Sequence, residues 1–199
     1  MRRKEERLGG KAMKIALTER EEFKLKAAEF LLEKLKEIHD REGHIRGELY
    51  FDVEVYVESF LSHIIGTLDA FLQYLNSIYN LGIKIKEVSL SKINEECKDK
   101  NIKIKAVKEL NRLYGDINSW LWQLNNLRNH CGHRSVIPKH IKLELPSAKV
   151  SVHLLKDLLH PEEGPMEEDA LTYLENCLEN MRSLLKGLHS KIDKDLKNK

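Results

Sequence analysis

From Val57 to Ile78, apolar side chains return at alternating steps of four and three: Val57, Leu61, Ile64, Leu68, Phe71, Leu75 and Ile78. That spacing lines up on one face only in an α-helix, so the stretch must bury a long apolar stripe against other elements. The same rhythm recurs in Ala28, Leu31, Leu35 and Ile38, in Val107, Leu110, Tyr114, Ile117, Leu121 and Leu124, and in Leu171, Leu174, Leu178, Met181, Leu185, Leu188 and Ile192. The local punctuation agrees. Thr18 and Glu21 are spaced as a capping box, Gly43 and Gly82 follow the first two helices, and the acidic run Glu162 to Asp169 suits a helix start. A short helix is expected within the lysine-rich connection Ser89 to Lys100. The third long helix is expected to run unbroken from about Ile104 to Cys131. Between the third and fourth long helices, Ile141 to Leu145 and Val150 to Leu154 alternate with period two around Pro146, as a β-hairpin would. The expectation is an all-α, four-to-five-helix up-down bundle with a small β-hairpin appendage at 141–154.

A chain of 199 residues, 41% hydrophobic, supports one sizeable core, so residues 15–199 are read as a single domain. Residues 1–14, with charged Arg2 to Arg7 ahead of Gly9 and Gly10, are read as a flexible tail, an extension upstream of a start at Met13. Cys97, Cys131 and Cys177 are odd in number and widely spaced, which argues against a disulfide framework and fits a reducing cytoplasm. No uninterrupted apolar run reaches the roughly eighteen residues of a membrane span, so a soluble protein without membrane association is expected.

Lys and Arg number 34 against 32 Asp and Glu, so the whole-molecule field is too weak to hold a polyanion and any such partner must be gripped locally. The grip is sought at the end of the third stripe, where the step that placed Leu121 and Leu124 next lands on Arg128. A guanidinium on an apolar stripe needs an anionic partner, and phosphate is one candidate. From Arg128 to Lys142 the basic residues are Arg128, Arg134, Lys139 and Lys142, joined by His130, His133 and His140, with no Asp or Glu. Asn129, His130, Arg134 and Lys139 are therefore candidate phosphate or substrate contacts. Gly132 is free to leave helical geometry, which would let His133 swing toward Arg128 despite a five-residue offset that suits one helical face poorly. Plainer readings stand beside these. Arg128 and Asn129 serve equally as helix caps, or Arg128 pairs with a carboxylate such as Asp69, and His133 serves as a surface histidine. Cys131 continues the apolar stripe as a small hydrophobe. His130 and His133 lack a third ligand at metal spacing, so neither a metal nor a cofactor is expected.

Arg128, Asn129, then His130, Cys131, Gly132 and His133 follow an Arg, polar residue, three further residues, His pattern that resembles HEPN-superfamily ribonucleases and toxins. The resemblance extends to the setting, a motif ending a long bundle helix after a helix that reads Glu58 to Leu61 and Leu68 to Phe71, and it spans about residues 19 to 190. It implies a homodimer that cleaves RNA without metal, with Arg128 and His133 catalytic, Asn129 orienting or binding, and Asp69 or Glu58 as the polar residue of the preceding helix. The basic loop and the hairpin fall outside that pattern. The implied chemistry is self-consistent. An imidazole, whose ordinary pKa is about 6.5, takes the proton of the 2′-hydroxyl, and the guanidinium stabilises the pentacovalent phosphorus. The 5′-oxygen then leaves behind a 2′,3′-cyclic phosphate. The expectation is thus a toxin or antiphage-defence endoribonuclease. Two alternatives stand: a non-catalytic HEPN module binding nucleotide, RNA or a nucleotidyltransferase-type antitoxin, and a plain helical interaction domain.

Overall fold

A computed structural model describes residues 2–42, 48–133, 137–144, 149–156, 158 and 160–197, with side chains for 16–39, 51–131, 137–140, 151–156, 158 and 160–197. The protein is all-α with a small two-stranded sheet. In chain order the elements are α1 (Arg2–Glu42), α2 (Glu48–Ile78), α3 (Leu90–Asp99), α4 (Lys105–Gly115), α5 (Trp120–His133), β1 (Lys139–Glu144), β2 (Lys149–Leu154) and α6 (Ala170–Lys197).

The α2 stripe is the centre of the core: Phe60, Leu61, Ile64, Leu68, Phe71 and Leu75 are buried, and α1, α3, α5 and α6 all pack against this helix. The stretch Phe51–Ile78 is apolar enough by composition to cross a membrane, yet 61% of its most apolar window is buried inside the bundle, as befits a core helix. Asn80 and Gly82, both at positive φ, end the helix where Gly82 predicted a stop, and the Asn76 amide clamps the departing chain by bonding both the N–H and the carbonyl of Ile83. Ser89 caps α3 by accepting from the Lys92 N–H at 3.2 Å, and Asp169 caps α6 by accepting from the N–H groups of Leu171 and Thr172.

Three boundaries differ from the sequence reading. Helix α1 does not start at Thr18 but runs back to Arg2, through the residues read as a flexible tail. Arg, Lys and Glu are strong helix formers, and extending an existing helix needs no new nucleus, so two glycines do not stop it. The capping box is consequently not a cap. Glu21 lies mid-helix, buried, and bonds His189 of α6 at 2.7 Å.

The third helix is two helices. Asp116 turns the chain by accepting from the Asn118 N–H at 3.0 Å, and Ser119 restarts it as the cap of α5, accepting from the Trp122 N–H at 3.1 Å while its own hydroxyl bonds the Leu113 carbonyl. Ile117, which kept the apolar rhythm, is half exposed on that turn.

The hairpin is present, with β1 starting at Lys139 and an antiparallel register pairing His140 with His153 and Leu143 with Val150. It is more than an appendage. His153 is buried, its Nδ1 donating to the Met166 carbonyl at 3.0 Å and its Nε2 accepting from the Ser151 hydroxyl at 2.8 Å. At the other end Lys139 forms an ion pair with Glu54 of α2, with side chains only 9% and 15% exposed. Both ends are thus fastened to the bundle.

Candidate functional site

Of the predicted site residues, Arg128, Asn129, His130 and His133 sit on the last two turns of α5 and Asp69 on α2. Leu121, Leu124 and Leu127 bury one side of α5, and Arg128 follows at the edge of that face, half buried. Its Nη1 donates to the neighbouring Asn129 Oδ1 at 3.1 Å. Asn129 is exposed and His130 half buried. Among the described residues Arg128 makes no ion pair, although Asp69 on α2 lies within its electrostatic reach.

Asp69, exposed on α2, lies within electrostatic reach of two cations. Desolvation raises its carboxyl above the usual range, and Arg128 and then Lys24 of α1 act in the opposite direction. Lys24 reaches it because α2 has Gly66 at the crossing: a Cβ there would meet the Lys24 ammonium at 2.6 Å. Partial burial, then the nearby Arg20, lowers the Lys24 ammonium, and Asp69 opposes both. His63, one turn before Gly66, is lowered by burial and then by Lys24, and its ring meets Phe23 edge-on at 6.5 Å. Tyr114 of α4 completes the surround, its phenol pushed up to about 12 by burial and then by Asp69, with Arg128 opposing. Four helices therefore bring Lys24, His63, Asp69, Tyr114 and Arg128 to one seam. Two cations act on one carboxylate, and none of the three is closed into an ion pair among the described residues, which suits the seam to receive an oxyanion.

The other sequence candidates fall out differently. The α5 backbone stays helical through Gly132 to His133, so the bend that Gly132 would permit is not used. His133 ends the helix, its side chain lies outside the described ones, and Arg134 lies outside the described residues altogether. Lys139 is no surface cation, being buried against Glu54. Glu58, the alternative to Asp69, is exposed about three turns from it on α2 and lies by Cys131. Burial first, and that carboxylate second, push the Cys131 thiol up to about 11, leaving it a thiol at neutral pH and a poor nucleophile. Among the described residues no three His, Cys, Asp or Glu side chains cluster as a metal site.

Sequence reasoning missed Lys24, His63 and Tyr114. The available signal was Gly66, an isolated glycine inside an apolar helical stretch, which marks a place where another group comes close. Compared with family models, curated proteins and solved structures, the chain matches none.

Proposed function

We propose that the protein is a cytoplasmic HEPN-type endoribonuclease that works without metal, cutting RNA by attack of the 2′-hydroxyl. The observation that carries this reading is the half-buried Arg128 guanidinium, held by Asn129 and beside Asp69 but in no ion pair among the described residues. A half-buried guanidinium with no carboxylate bonded to it has donors left for an anion, and a phosphodiester is an anion whose geometry matches the guanidinium fork.

In this reading His133 removes the 2′-hydroxyl proton, the 2′-oxygen bonds to phosphorus, and Arg128 stabilises the charge gathered on the phosphoryl oxygens. The P–O5′ bond breaks, the 5′-oxygen takes a proton, and a 2′,3′-cyclic phosphate remains. In an unbroken helix, a five-residue offset places the two Cα positions about 140° apart around the axis. Pairing two copies supplies both a facing Arg–His set and the acid for the leaving oxygen, so the active form is a homodimer. Exposed Phe30 on α1 supports an apolar contact of that kind. The same helical separation of Arg128 from His133 favours one second reading, a HEPN module that binds RNA, or a nucleotidyltransferase-type antitoxin, without cutting.

The test is cleavage by pure protein in chelator. Unstructured RNA should yield 2′,3′-cyclic phosphate ends, His133→Ala should lose at least 10³-fold in rate with an unchanged melting curve, and 2′-O-methyl RNA should stay whole. RNA bound but uncut across pH 6 to 8 supports the binding module, and cutting that survives His133→Ala removes the assignment.

A further inference from the structure

We propose that Lys24, His63 and Phe23 form a second subsite beside Arg128 that holds the neighbouring nucleotide of single-stranded RNA, phosphate on Lys24 and His63, base on Phe23. The proposal rests on the reading of Arg128 as the residue that receives the scissile phosphate.

Lys24 belongs to α1 but its ammonium is drawn over α2 at Gly66, into the space that any side chain at 66 would fill. A partly desolvated ammonium held there calls for anions. Among the described residues it has no ion pair, and Asp69, the carboxylate in reach, also faces Arg128. Arg20, one turn earlier on α1, adds positive charge on the same side. The Nδ1 of His63 is buried without a hydrogen-bond partner among the described residues while the residue as a whole is only half buried, so a half turn of the ring presents that nitrogen to a phosphate. Two cations, Lys24 and Arg128, thus both act on Asp69 from different helices, enough positive charge for two successive phosphates.

The aromatic neighbour selects the strand type. Phe23 is 66% exposed, and its ring lies edge-on to His63, which sets it beside the Lys24 ammonium. A bare ring next to a phosphate-binding ammonium is the pairing that proteins use to hold unpaired bases by stacking, which tolerates any sequence. A duplex offers no free base face to it.

The experiment uses the full chain carrying His133→Ala, fluorescein-labelled oligouridylate, and anisotropy across 50 to 300 mM NaCl. Lys24→Gln should weaken binding on the order of tenfold and reduce the magnitude of the log K against log salt slope by about 0.7, the value for one phosphate contact on a single strand. Lys24→Arg should restore the slope. Phe23→Ala should weaken binding on the order of tenfold with the slope unchanged, and Lys186→Gln, an exposed lysine on α6, should change neither. Lys24→Gln behaving like Lys186→Gln overturns the subsite even if the wild type cuts RNA. Conversely, a slope change at Lys24 in a protein that never cuts RNA upholds the subsite and removes the nuclease. No binding by the parent overturns both.

Discussion

Where α1 meets α6, the Glu21 carboxylate lies 2.7 Å from the His189 ring, and at the root of the hairpin the Lys139 ammonium touches Glu54. Where α1 and α5 meet α2, Lys24 and Arg128 instead both act on Asp69 with no ion pair among the described residues. The carboxylates of the first two seams have partners inside the molecule; the charges of the third are left for something else to pair. Charge taken out of water destabilises a fold unless it is paired, so an unclosed seam identifies a binding site better than charge alone does.

That contrast is most easily broken through stability. Lys139→Ala leaves Glu54 buried without its cation and is expected to cost about 3 to 5 kcal/mol in urea unfolding. Arg128→Ala, which breaks no ion pair, is expected to cost no more than about 1 kcal/mol. Equal losses would place Arg128 among the structural pairs. Glu21→Gln, which keeps the shape and removes the charge facing His189, is expected to cost about 1 to 2 kcal/mol.

Asp69→Asn sharpens the comparison from the other side and should have the smallest effect on stability. Desolvation holds the folded-state carboxyl above its ordinary 3.8, so the folded protein binds more protons than the unfolded chain between that value and the raised one. Stability from this group is therefore lost as pH rises through that window and stays lost at pH 7. The asparagine variant should be slightly more stable at neutral pH, lack the acid-side gain, and bind oligouridylate more tightly because a carboxylate no longer competes for Arg128 and Lys24. Weaker RNA binding would show that Asp69 positions the cations.

Much of this was visible in the chain. The α2 and α6 stripes, the hairpin, and Arg128 standing where a leucine was due all follow from spacing. The break at Asp116 to Ser119 was hidden because Ile117 and Leu121 keep the three-and-four step across it; periodicity registers spacing, while the turn is made by the Asp116 and Ser119 side chains. Lys139 was misplaced for a different reason. It lies in an acid-free window, but the carboxylate that claims it, Glu54, comes from a distant part of the chain, and pairings of that kind leave no local mark. Lys24 reads as one more polar residue on α1, and only Gly66 opposite it betrays the crossing.

The most direct test follows the arginine side-chain N–H signals by NMR while 2′-O-methyl oligouridylate, which binds without being cut, is added. Arg112 is paired with Glu109 at 2.8 Å and Arg182 with Glu29 at 2.7 Å, so their signals should stay in place. The Arg128 signal should shift and saturate with the binding isotherm. RNA that binds while Arg128 stays still would contradict the claim that this guanidinium is held open for a phosphate.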